Sequence, residues 1–281
     1  MKKLIFNGCS FMAGDELVWE QYHKIHNKEV TSWFINKDSI ISDDDNLFRN
    51  EYMNYRQNFN LPSIICKMLG GYEKIDLSYD GSSNEHIAME TITYLNSFTK
   101  EDRKDCHVII GWSSLGRIMK YSKYSNLFVD LTAGHYDDHT ADPAKNALRE
   151  HIKIRILNSD DEDFLLDYVK NIMLLENYLI ANNVSYTFYR ALDDTMQGFE
   201  TIGPFSYGSP YLLTIKDCTR HENWYRFANT LYDPINALGW VSEFCRDPKK
   251  WVTPTNSHPG LSTLHEFATK LVEFIKTQKV L

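Results

Sequence analysis

Short apolar runs recur along the chain at 3–7, 74–78, 107–112 and 184–189. Each has the length and the β-branched or aromatic content of a buried strand, and small or polar residues follow it. Helical signals lie between and behind them. After Gly81, Ser82 stands three residues ahead of Glu85, the spacing of a capping box, and Ile87, Ala88 and Ile92 continue at helical spacing. A helix is therefore predicted to begin right after Gly81, and another over about 162–181, ahead of the fourth run. Over 261–277, Leu264, Phe267, Ala268, Leu271, Val272, Phe274 and Ile275 share one broad face, which predicts an amphipathic helix packed on the sheet. Strands alternating with helices predict an α/β fold with a parallel sheet.

Three stretches break this rhythm and read as insertions into one domain spanning 1–281: about 18–57, with the acidic run Asp43, Asp44 and Asp45; about 121–160; and about 193–251, rich in Tyr, Trp, Gly and Pro. Long loops of this kind in compact domains tend to be lids or binding surfaces.

Composition narrows the function classes. The chain has 281 residues, 43% of them apolar, and 38 acidic against 30 basic side chains give a formal charge of −8. This is a globular composition, and its charge argues against a generic nucleic-acid binder. The longest apolar runs fall far short of the roughly 20 residues a bilayer-spanning helix needs, so no membrane span is expected. Lys2 and Lys3 precede Leu4, Ile5 and Phe6, but Asn7 and Gly8 end that run too early for a secretory signal. Five cysteines without paired spacing suggest neither a disulfide framework nor a CxxC metal site, and a reducing cytoplasm is expected.

The chemistry-bearing residues sit at the two ends of the chain. Asn7, Gly8, Cys9, Ser10 and, further on, Gly14 follow the first strand directly, which places Ser10 at the carboxyl end of a parallel strand, where open α/β sheets build their sites. A serine there is either a helix cap or a nucleophile beside N–H groups suited to an oxyanion. The two glycines are one residue too far apart for a phosphate loop, and no lysine follows Gly14. Cys9 is a weaker nucleophile candidate, since adjacent residues leaving a strand point in opposite directions. Just before the last helix, His258 is held between loop residues and Pro259, facing the same sheet edge as a candidate base. His135 and His139 have the i, i+4 spacing of metal ligands but sit in a polar insertion near Pro143; no metal site is expected there. Tyr207, Tyr211, Trp224, Tyr225, Phe227, Tyr232 and Trp240 either line a cleft or pack in the core.

Together these segments resemble the SGNH hydrolases, the GDSL-like esterase and lipase superfamily. The segment from Phe6 to Gly14 looks like its first block, in the G-C-S-F-x-x-G variety common among phage-encoded relatives, and maps the nucleophile onto Ser10. The segment from Leu77 to Asn84 is similar to the second block, whose glycine N–H is an oxyanion donor, here Gly81; His258 and Pro259 match the His-Pro of the last block. The resemblance implies a three-layer α/β/α sandwich with a flavodoxin-like parallel sheet. It also implies acyl-ester chemistry without metal or organic cofactor, with the Ser10 and Gly81 amides binding the oxyanion. Two positions depart from the pattern. Ser113 stands where the third block has an oxyanion asparagine, so the side-chain donor is Ser113 or, reaching from the second block, Asn84. Thr255 stands where the triad acid is expected and is a candidate for orienting His258, with Asp80, Asp233 and Asp247 as carboxylates arriving from elsewhere.

The expected function is a serine esterase that removes a short acyl or acetyl group from a carbohydrate or small molecule through a Ser–His acyl-enzyme. An acyltransferase would use the same serine. A catalytically degraded scaffold or binding protein is the non-enzymatic alternative. The expected partner is the ester substrate, not nucleic acid or membrane, and the sequence leaves the oligomeric state open.

Overall fold

The computed structural model describes residues 2–14, 17, 54–122, 127–131, 150, 153–154, 161–192, 221–225, 251–253 and 256–278. Most of the three expected insertions lies outside these residues.

Four parallel strands form the central sheet: β1 (Lys3–Gly8), β2 (Glu73–Asp76), β3 (Cys106–Trp112) and β6 (Ser185–Arg190), in the order β2-β1-β3-β6. The fold is α/β with the parallel sheet that the strand and helix alternation predicts. β1 and β3 are buried nearly throughout, which is why they read as continuous apolar runs in the sequence. β2 lies at an edge and is half exposed. It ends two residues earlier than expected, although the Leu77 and Tyr79 N–H groups still donate to the Phe6 and Gly8 carbonyls of β1, while the Asp76 carboxylate accepts from both the N–H and the hydroxyl of Ser78.

Successive strand side chains point to opposite sides, and the core divides accordingly. Leu4, Phe6 and Ile109 join one cluster with residues of helices α2 (Leu61–Leu69) and α6 (Leu261–Thr277). Ile5, Val108, Ile110 and Trp112 join a second cluster with α3 (Asn84–Asn96) and α5 (Asp161–Ala181). The long helices α5 and α6 lie where the sequence predicts them. Two short helices, α1 (Ser10–Ala13) and α4 (Lys100–Arg103), complete the described helical elements used below. No helix among the described residues is long and apolar enough to cross a membrane.

Three details differ from expectation. The cap of α3 is Ser83, whose hydroxyl accepts from the His86 N–H, and not Ser82. The Ser82 N–H instead closes a turn onto the Tyr79 carbonyl, with Gly81 at φ 83°, so the turn consumes residues 79–82 before the helix can start. The segment after β3 contains an antiparallel hairpin, β4 (Ile118–Ser122) with β5 (Leu127–Leu131), which overlaps the expected insertion at 121–160. His258 lies in a strand and not in a loop: β8 (Asn256–Pro259) pairs antiparallel with β7 (Trp251–Thr253).

The strand order fixes where a site can form. From β1 the chain moves to β2 on one side, then crosses back to β3 on the other, so the connections diverge between the carboxyl ends of β1 and β3 and leave a crevice there.

Candidate active site

Ser10 sits at that crevice as the first residue of α1, one residue past its cap Cys9. The turn from β1 into α1 is tight because Gly8 has no side chain: a Cβ there would lie 2.9 Å from the Cβ of Met12 and 3.0 Å from the carbonyl oxygen of Gly111 on β3. Gly14 closes α1 in the left-handed region (φ 72°), donating its N–H to the Ser10 carbonyl at 2.8 Å. Cys9 is fully buried in the first core cluster, whereas the Ser10 hydroxyl reaches a partner.

That partner is His258. Its Nε2 lies 2.9 Å from Ser10 Oγ, across 248 positions of sequence. The imidazole stacks on the Phe11 ring, with centroids 4.4 Å apart and planes 20° from parallel. Ser10 is only 5% exposed, so the hydroxyl and imidazole meet in a largely dry setting. Thr255, Asp233 and Asp247, candidates for orienting His258, lie outside the described residues. Asp80 is held by Arg56, whose Nη2 approaches at 2.5 Å while its Nε donates to the Ala13 carbonyl at 2.9 Å. Arg56 thereby ties the end of α1 to the loop that carries Gly81.

The loops around Ser10 present several donors. Tyr79 donates its N–H to the Gly8 carbonyl at 3.1 Å, drawing the Gly81 turn to the end of β1. The N–H groups of Ser10 and Gly81 donate to no backbone acceptor among the described residues, and the space around the Gly81 α-carbon is open. On β3, Gly111 is the register partner of Gly8, so Ser113 lies two residues past Gly111 as Ser10 lies two past Gly8. The Ser113 hydroxyl is 1% exposed as a residue and has no hydrogen-bond partner.

Asn84 is corrected by the structure. Its Nδ2 donates to the carbonyls of Ser113 at 3.2 Å and Ser114 at 2.9 Å, and its Oδ1 accepts the Ser113 N–H at 2.7 Å. Both amide hydrogens are spent, so Asn84 clamps the β3 loop and is not an oxyanion donor. Of the two candidate side chains, Ser113 is the one whose polar group has no hydrogen-bond partner.

Residues 41–244 match the model of a family described as a family of unknown function (DUF6071), well over half of the chain. The chain belongs to that family. No curated protein and no solved structure matches. In this DUF6071 chain the matched span includes Gly81, Asn84 and Ser113 but neither Ser10 nor His258, which lie on either side of it.

Sequence reading missed further members of the DUF6071 chain's site region. Asp130 of β5 accepts the Ser83 N–H at 2.9 Å and bonds His86 Nδ1, with Glu90 3.7 Å from His86 Nε2. The hydrogen bond to Asp130 holds the His86 pKa above its usual value, and burial raises that of Glu90. Asn7 bridges β1 to α3 through the Ile87 carbonyl and Thr91. A side-chain partner tens of residues away leaves no periodic trace, so no sequence signal marked these contacts. Of the aromatic stretch, Trp224 is buried in the core edge-on against Phe188, and Tyr225, partly buried, packs on the core against Phe267 and Phe274; the others lie outside the described residues. His135 and His139 lie outside them as well, and among the described residues no group of three His, Cys, Asp or Glu side chains is placed to hold a metal ion.

Proposed function

We propose that this protein is a serine acylhydrolase of the SGNH type, acting on short acyl or acetyl esters of carbohydrates or small molecules. The observation that carries the reading is the 2.9 Å approach of His258 Nε2 to Ser10 Oγ at the divergence of β1 and β3. A three-layer α/β/α sandwich of flavodoxin-like order is part of the same proposal. It is supported by the strand order and by the division of alternate β1 and β3 residues between two helix-containing clusters.

In the proposed cycle His258 Nε2 takes the Ser10 proton as Oγ attacks the ester carbonyl. The resulting oxyanion accepts from the N–H groups of Ser10 and Gly81 and from the Ser113 hydroxyl. The protonated imidazole, stacked on Phe11, then gives its proton to the departing alkoxide, and the acyl group stays on Ser10. Water, deprotonated by the same nitrogen, releases the acid and restores the serine. An alcohol in place of water would make the protein an acyltransferase.

The test is labelling with a fluorophosphonate probe alongside hydrolysis of 4-nitrophenyl acetate. Wild type should be labelled and active, while Ser10→Ala should be unlabelled and His258→Ala slower by about 10²–10⁴. An unlabelled wild type with background hydrolysis would reject the enzymatic reading. A panel of alcohol acceptors separates hydrolase from transferase.

A further inference from the structure

The site region holds more buried donors than ester hydrolysis uses. Ser82 Oγ, Ser113 Oγ and the Nε and Nη1 of Arg117 are all shielded from solvent, and none has a hydrogen-bond partner. The indole nitrogens of Trp112 and Trp224 are in the same condition, but they lie in the second core cluster. The segments carrying the first group are fastened to one another. Asn84 joins 82–84 to Ser113 and Ser114, and Asp130 joins Ser83 to the hairpin. Met119 is opposite Asp130 in the hairpin register, and Arg117 stands two residues before Met119, one residue ahead of β4. Met119 and Asp130 share a hairpin face, Asp130 meets the start of α3 through Ser83, and Arg117 is carried on the chain leading directly into that face.

These atoms are all donors, and one group is a guanidinium, which stays charged at any ordinary pH. The nearby Asp130 carboxylate is already taken by Ser83 and His86. Two of the three guanidinium nitrogens of Arg117 are shielded without an acceptor although the residue is only partly buried, and shielded donors of this kind in a native protein call for a partner. A planar guanidinium suits a carboxylate or a phosphate, and a hydroxyl can add a further hydrogen bond to either.

We propose that Arg117, with Ser82, recognises an anionic oxygen group, a carboxylate or a phosphate, on the substrate of the Ser10–His258 site, so that the preferred ester is negatively charged. The assignment of that group to a substrate rests on the hydrolase reading; anion binding itself does not.

Thermal unfolding of the full-length chain, titrated with succinate in one arm and inorganic phosphate in the other, reads the anion site directly and distinguishes the two chemistries. The expected result is a saturable rise in melting temperature of wild type with one or both anions, lost in Arg117→Met and reduced in Arg117→Lys. The second measurement is the ratio of kcat/KM on 4-nitrophenyl hemisuccinate to that on 4-nitrophenyl acetate, which should fall about 10- to 100-fold in Arg117→Met. No rise in wild type with either anion, or an equal rise in all three proteins, overturns the proposal. The wild-type titration alone decides it should the methionine variant fail to fold. Anion binding through Arg117 in a protein whose Ser10 resists fluorophosphonate would sink the hydrolase reading and leave the anion site standing. A labelled enzyme indifferent to both anions would do the reverse.

Discussion

Replacing Ser113 by alanine should make the protein more stable and less active at once. In the folded chain the Ser113 hydroxyl is buried and lacks a hydrogen-bond partner, a state that costs about 1–3 kcal/mol relative to water. Alanine removes the hydroxyl and leaves the three hydrogen bonds between Asn84 and the backbone of residues 113 and 114 in place. The loss of one oxygen's worth of packing offsets part of the gain, so the net stabilisation should be about 1 kcal/mol, a rise in Tm of about 2–4 °C for a chain of this size. In the proposed cycle the same hydroxyl donates to the oxyanion, and losing such a donor costs roughly 10²–10³ in kcat, about 2.7–4 kcal/mol. Because that bond strengthens only as charge develops, KM should barely move. Ser113→Asn restores a donor and should recover activity. Calorimetry paired with steady-state hydrolysis of 4-nitrophenyl acetate checks both halves. An alanine variant that turns over within about threefold of wild type, or that unfolds at lower temperature, would refute the assignment of this hydroxyl as a donor held ready for the reaction.

Two further outcomes follow from the same contacts. Asn84→Ala should cost about 3 kcal/mol in urea unfolding, since it leaves the buried Ser113 N–H without its acceptor and removes two more bonds, and it should lower kcat by loosening the loop that carries Ser113. His107 is buried between Ser185 and Thr187, and burial pushes its pKa down to about 3. Between that value and the ordinary 6.5, the unfolded chain binds a proton that the folded chain refuses, so stability falls as pH falls through this window. From pH 7 to pH 5 wild type should lose about 2 kcal/mol more than His107→Gln, measured by urea unfolding at each pH; equal losses would mean that the ring is not held neutral.

How much of this was legible depends on where each element's partners lie. β1 and β3 are covered on both sides, so their residues are apolar without interruption and the strands stand out. α6 is an isolated amphipathic helix preceded by Gly260, and its bounds could be read to the residue. β2 is an edge strand, half exposed, and its end is blurred because bonds to β1 continue through Leu77 and Tyr79 after the regular strand stops at Asp76. β7 and β8 are too short to display a period, so His258 looked like a loop residue. Ser10 and His258 were legible as candidates because strand ends and a His-Pro motif mark their positions; their meeting across 248 residues is a property of the fold. The acceptor for Ser83 on Asp130 and the pairing of Arg56 with Asp80 had no sequence counterpart at all, since each is one side chain meeting another segment.

Under the proposed mechanism, the same contacts account for a serine at position 113, where the SGNH resemblance leads one to expect an asparagine. An oxyanion donor is effective when it is aimed before charge develops, because the donor then pays no reorganisation as the reaction proceeds. A serine hydroxyl rotates freely and is poorly aimed by itself. Here its backbone is fixed on both sides, the N–H and carbonyl of Ser113 each bonded to Asn84, while Asn84 is the first residue of α3, which Asp130 and Asn7 anchor in turn. On the proposed mechanism the Asn84 amide positions the residue that meets the oxyanion instead of meeting it itself. On this reasoning the rigidity of Ser113 resides in Asn84, and the two substitutions should not be additive: once Asn84 is gone, Ser113→Ala should cost far less activity than it does in the intact site.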